Sequence, residues 1–228
     1  MNLPEMNLAL HEDFMDINDP ASIEQISQNI LGVRAKKKRP IVFVTGLSGS
    51  GKTTLASKIS QTSDKVSVIS FDWWIKDSSP VRRGKIVEDY RISNEIPNPL
   101  EWYSWKKFSD NLITLQTTGT LDFQGAWDQS TGEKDLNLNL EVPDDGVIVV
   151  EGMYLFEEST RNLADYTIMI EPDIDNATKR AQVRHQSRNP EEYLAIKERW
   201  HREYDVPYLQ GYQSGVDLVV KNHLPNPQ

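Results

Sequence analysis

The sequence predicts an α/β protein built on a parallel five-stranded sheet with helices on both faces. Two observations carry this. Aliphatic-rich runs at Ile41–Thr45, Val66–Ser70, Val147–Val150, Thr167–Ile170 and Val216–Val220 have the length and content of buried strands. Segments with helical apolar spacing lie between them, and strands alternating with helices assemble as a covered parallel sheet. A chain of 228 residues is long enough for one such core with an appendage.

In chain order, residues 1–19 are polar and acidic and read as a loosely held arm. Ile23, Ile26, Ile30 and Leu31 then recur at helical spacing, so 21–34 is expected to be a helix, with Pro20 near its start. The run Lys36-Lys37-Lys38-Arg39 reads as a solvated linker in preference to a nuclear-localisation or nucleic-acid patch. It divides an N-terminal arm and helix (1–39) from the main domain (40–228). Lys52–Gln61 is expected to be helical, as is Leu100–Thr117, through Leu100, Tyr103, Phe108, Leu112 and Leu115. Leu121–Phe123 and Leu136–Val142 alternate polar and apolar residues and are expected to form an exposed hairpin, while Asp173–Ser187 and Pro190–Tyr204 read as helices.

Composition removes several function classes. The chain has no cysteine, which excludes disulfides, thiolate metal sites and a cysteine nucleophile. Its formal net charge of −9 argues against a nucleic-acid partner. The aliphatic stretches are too short to span a bilayer, and Met1–Asp16 lacks the basic-then-apolar pattern of a secretory signal. A cytoplasmic location is the expectation.

Gly46-Leu47-Ser48-Gly49-Ser50-Gly51-Lys52-Thr53 fits G-x-x-x-x-G-K-[ST] between an expected strand and an expected helix. Glycines let the backbone wrap an anion with its amides pointing inward, and the following helix adds the positive end of its dipole. Gly46, Ser48, Gly49, Ser50, Gly51, Lys52, Thr53 and Thr54 are therefore the candidate nucleotide-binding residues. Lys52 is expected on the β- and γ-phosphates of ATP and Thr53 on Mg²⁺. In a parallel sheet ligands sit beyond the carboxyl ends of strands, so Gly46, Asp72 and Glu151 should share one edge. Glu151, ending an aliphatic run, is a candidate Mg²⁺ residue. Asp72 could accept a proton from an attacking hydroxyl or could simply cap a helix. Arg180, Arg184 and Arg188 recur every four residues, along one helix face, where they could clamp a transferring phosphoryl group or form a solvated basic face. Trp73, Trp74, Trp102, Trp105 and Trp127 crowd the middle of the chain and serve as core or as stacking surfaces.

Together the phosphate loop, Ser70-Phe71-Asp72, Val149-Val150-Glu151-Gly152 and the arginine helix resemble the uridine kinase/phosphoribulokinase family of P-loop kinases, with nicotinamide riboside kinases as relatives. The resemblance spans roughly residues 40–220 and implies a P-loop NTPase three-layer sandwich with a helical lid and a small substrate-side insertion. It implies that Asp72 is the catalytic base and that Thr53 and Glu151 are the magnesium-associated residues. It places Arg180, Arg184 and Arg188 in the lid, Glu95 near sugar hydroxyls and Trp127 near the base of the acceptor. Departures fall on the acceptor side: Ile96-Pro97-Asn98-Pro99-Leu100-Glu101 stands where uridine kinases tend to have His-Pro-Asp-Ala-Phe-Asp, and Ile75 replaces a family tyrosine. The expectation is an ATP- and Mg²⁺-dependent kinase for a small-molecule alcohol, nucleoside or sugar-like. Nicotinamide riboside or a pantothenate-type alcohol are other acceptors, and a non-catalytic ATP-binding regulator or a nucleotide hydrolase are the other classes.

Overall fold

The computed structural model describes residues 15–33, 37–171, 173–177, 179–180 and 191–222. Its strands are β1 (Ile41–Thr45), β2 (Val66–Ser70), β3 (Thr120–Ala126), β4 (Leu136–Glu141), β5 (Val147–Glu151), β6 (Tyr166–Ile170) and β7 (Leu218–Val220). Its main helices are α1 (Pro20–Val33), α2 (Lys52–Thr62), α3 (Ser79–Ser93), α4 (Trp105–Thr118), α5 (Glu191–Trp200) and α6 (Val206–Tyr212).

Five strands form one sheet in the order β2-β5-β1-β6-β7, and every pairing is parallel. Successive residues of a strand point to opposite faces, and this alternation divides the interior in two. Ile41, Phe43, Ile148, Val150 and Met169 face one layer, where they meet Phe108, Leu112 and Leu115 of α4 and Leu209 of α6. Val42, Val44, Val147, Val149, Ile168 and Ile170 face the other, against Ile23, Ile26 and Ile30 of α1 and Leu55, Ala56 and Ile59 of α2. Burying each large aliphatic or aromatic side chain contributes about 1.5–3 kcal/mol relative to exposure. The three layers are those expected, and β1 and β2 match the predicted spans.

The differences from expectation have local causes. Residues 15–19, read as part of a loose arm, are fixed: Ile17 is fully buried, its amide donates to the Lys221 carbonyl at 2.9 Å, and the Lys221 amide donates to the Met15 carbonyl at 2.8 Å. Arg39, read as part of a solvated linker, is buried. Its guanidinium donates to the carbonyls of Gln116 and Thr117 at the end of α4 and to that of Val142, so it caps a helix whose last carbonyls lack partners. The expected helix over Leu100–Thr117 is two pieces. A 3₁₀ turn (Pro99–Trp102) is capped by the Asn98 side chain, and extended Tyr103 pairs with Ile75 before α4 begins. The hairpin β3–β4 is antiparallel as read, but its inner face is covered, with Leu121, Phe123 and Ala126 in the core. The helix α3 has no counterpart in the sequence reading; Ile86 is its one buried residue among those described. The segment read as a helix over Asp173–Ser187 is helical at 174–177 and 179–180, and the rest lies outside the described residues.

Candidate active site

Strand register brings the chemistry together. In the parallel pairings Glu151 lies opposite Val44 of β1 on one side and Ser70 of β2 on the other. The loop after β1 and the turn after β2 therefore flank the carboxylate at the strands' carboxyl edge, where α/β sheets bind ligands. The loop at 46–53 needs glycine at two of its bends. Gly49 and Gly51 have φ of 81° and 106°, in the left-handed region that other residues avoid. A Cβ on Gly51 would also meet the Asn222 amide nitrogen at 2.7 Å. That amide donates to the Ser50 carbonyl at 2.6 Å, and the Asn18 amide donates to the Asn222 Oδ1 at 3.0 Å. Both ends of the described chain thus hold the loop from behind. Gly51 opens α2, so the loop leads directly into a helix N-terminus.

A cleft of about 220 Å³ follows this edge. Ser48, Gly49, Lys52, Thr53, Asp72, Trp127 and Glu151, all selected from the sequence, line it. Lys52 Nζ donates to the Leu47 carbonyl at 2.9 Å, and Thr53 Oγ1 donates to Glu151 at 3.3 Å. Asp72 sits in a 3₁₀ turn (Phe71–Trp74) and accepts a hydrogen bond from the Tyr103 hydroxyl at 3.1 Å. Burial, and then the negative charge of Asp72, pushes the Tyr103 phenol well above its ordinary range. It stays protonated and acts as the donor that orients the carboxylate.

Burial also raises the pKa of Glu151, and the Asp72 charge adds to this, while Lys52 and the hydroxyls of Ser70 and Thr53 oppose it. A carboxylate held this way is suited to a cation. Among the described residues no three His, Cys, Asp or Glu cluster as a self-sufficient metal cage. One carboxylate and one hydroxyl beside a phosphate loop is the donor set by which Mg²⁺ is held, with phosphates and waters supplying the rest. The residues present fit the ion.

The folded protein holds the Glu151 proton more tightly than the unfolded chain, so the cost of the buried carboxylate is fully present above the folded pKa and disappears below the unfolded one. At neutral pH Glu151→Gln removes that cost. The nucleotide-free variant is expected to melt at or above the wild-type temperature, while its apparent Mg²⁺ affinity in the ATP reaction falls about 10–100-fold. Calorimetric melting and a Mg²⁺ titration check the two halves.

Not every sequence candidate reaches the cleft. Glu95 is exposed just beyond the end of α3 and does not line it. Gly46, Ser50, Gly51 and Thr54 shape the loop and the first turn of α2 without lining the cleft. Arg180 lies among the described residues but away from the cleft lining, whereas Arg184 and Arg188 lie outside the described residues.

Several lining residues were not selected from the sequence. Tyr193, Lys197 and Trp200 come from one face of α5 by their spacing. Asp205 ends a π-helical turn (His201–Asp205), accepts from the buried Tyr154 hydroxyl and lies 3.4 Å from His201 Nδ1. Arg82 of α3 lies over the rings of Trp102 and Trp127, at 5.7 and 5.2 Å from their centroids. A wide helical turn often marks a functional position, but nothing in a linear sequence announces one.

A family model described as NB-ARC domain matches residues 20–116, less than half of the chain but including the phosphate loop. The uridine kinase of Chlamydia pneumoniae is 26% identical over 211 residues, covering 82% of this chain and 90% of that protein. Among solved structures, one described as a "possible uridine kinase" from Bacillus stearothermophilus superposes with a TM-score of 0.57 at 19% identity, covering 87% of this chain and 96% of the other. The phosphoribulokinase of Rhodobacter spheroides superposes with a TM-score of 0.56 at 16% identity, covering 77% and 68%. At these identities the two structures speak for the fold.

Proposed function

We propose that this chain is an ATP-dependent small-molecule kinase that transfers the γ-phosphoryl group of ATP to a hydroxyl of a nucleoside or sugar-like metabolite, a reading supported by its similarity to the uridine kinase of Chlamydia pneumoniae. One observation supports this above the rest: Lys52, Thr53, Asp72 and Glu151 line a single cleft at the carboxyl edge of the sheet.

In this reading the loop amides and the N-terminus of α2 bind the phosphates, and Lys52 exchanges its bond to the Leu47 carbonyl for the β- and γ-oxygens. Mg²⁺, when bound, neutralises charge on the transferring group. Thr53 and Glu151 are the side chains that hold it. Asp72, oriented by Tyr103, accepts the proton of the acceptor hydroxyl as its oxygen forms the new bond to phosphorus. The bond from phosphorus to the β,γ-bridging oxygen breaks, and ADP leaves. Tyr154, Trp102 and Trp200 line the cleft with rings that exclude water from the transfer. Among the described residues no helix is long and apolar enough to cross a membrane.

The test is incubation with MgATP and a panel of nucleosides, sugars and hydroxy acids, read by mass spectrometry. A phosphorylated acceptor formed one-for-one with ADP is the expected result. ADP formed at one rate whether or not an acceptor is present would favour a hydrolase, and phosphorylation of no compound would overturn the reading.

A further inference from the structure

Arg82 has no role in the phosphate machinery described above. It projects from α3 into the cleft, where the other lining residues near it are Trp102, Trp127 and Tyr193. Its Nε and Nη1 are buried and donate to no acceptor, and it makes no ion pair among the described residues. Lys197 of α5 is a second cation in the lining outside the phosphate loop. Asp72 accepts from Tyr103, Asp205 from Tyr154, Glu151 from Thr53, and Lys52 donates to the loop.

A guanidinium is always charged and presents its donors as a planar fork. Burying two nitrogens of the fork without an acceptor is costly, a cost that a ligand supplying the acceptor would relieve. The indole faces of Trp102 and Trp127 stabilise the cation and fix its plane, but aromatic faces accept no N–H bonds in that plane. The matching partner is a carboxylate or phosphate, whose two oxygens meet the fork. Trp102 and Trp127 belong to the 3₁₀ turn and the hairpin, outside the parallel sheet, whereas the phosphates of ATP belong to the loop at 46–53. An oxyanion on the acceptor is the partner this placement favours.

We propose that Arg82 is the specificity-determining residue for the acceptor, and that the acceptor is an alcohol bearing a carboxylate or phosphate rather than a neutral nucleoside. This rests on the kinase reading above and narrows it.

The test measures equilibrium binding to the enzyme with Mg²⁺ and a non-hydrolysable ATP analogue, alongside turnover with ATP. The probes are glycerate and ribose 5-phosphate, their neutral counterparts glycerol and ribose, and uridine. Glycerate and ribose 5-phosphate separate the carboxylate from the phosphate. At least one of them is expected to bind about 30-fold or more tightly than its neutral counterpart. Arg82→Gln is expected to abolish that difference, leaving ATP affinity within about threefold, and Arg82→Lys to restore only part of it. Uridine or a neutral sugar binding as well as the anionic probes, or an anionic probe bound equally by wild type and Arg82→Gln, would overturn the proposal. Binding without turnover of any probe would leave the Arg82 assignment standing and count against the kinase reading.

Discussion

Asp72→Asn lowers kcat by about three orders of magnitude, within the range by which a positioned general base accelerates proton transfer. The substitution is nearly isosteric. Asn still offers an oxygen to the Tyr103 hydroxyl, which donates to Asp72 at 3.1 Å, so the 3₁₀ turn and its packing survive. What disappears is the ability to take up a proton from the acceptor. In the proposed mechanism ATP is held by the loop at 46–53, so its affinity should change by less than about threefold, because the lost interaction is made only as the hydroxyl attacks. Steady-state kinetics and calorimetric titration with ATP measure the two quantities. A variant retaining more than a tenth of wild-type kcat would remove Asp72 from the role of base.

Lys52→Ala lowers kcat/KM for ATP by about 10²–10³-fold, the cost of deleting one fixed donor at a site of developing charge. The ammonium is placed by the loop itself, through the carbonyl of Leu47 at 2.9 Å. Its charge also favours ionisation of the Glu151 carboxyl against the effect of burial. Two losses are therefore expected to coincide: the proposed contact to the transferring phosphoryl group, and the charge that opposes protonation of Glu151. Lys52→Arg should rescue little, since a planar fork does not fit where a compact ammonium is cradled. Kinetics at saturating Mg²⁺ isolate the first loss, and a Mg²⁺ titration reveals the second. A kcat/KM within fivefold of wild type would show that the loop amides alone carry the phosphates.

The legible part of the fold is the part whose burial is written locally. β1 and β5 were recognisable because a strand covered on both faces is apolar throughout or nearly so. The phosphate loop was recognisable because its backbone demands glycines at fixed spacing. Asp72 and Glu151 were located by their positions just past such strands. α3 escaped because it is exposed along most of its length and leaves almost no apolar period to read. The break at Tyr103 escaped because its cause is a bridge to Ile75, a partner far away in sequence. The acceptor side of the cleft was the least legible. Arg82, Tyr103, Tyr154 and Asp205 come from four segments and gain meaning only when packing brings them together, whereas Glu95, carried over by resemblance, remains at the surface.

The bond from Asn222 to the Ser50 carbonyl spans 172 residues of sequence. A ribosome releasing this chain exposes the whole glycine-rich motif well before the residue that braces it. The loop therefore reaches its final geometry only after Asn222 has been made, and a nascent chain carrying the motif without Asn222 would hold its loop less firmly than the folded protein does.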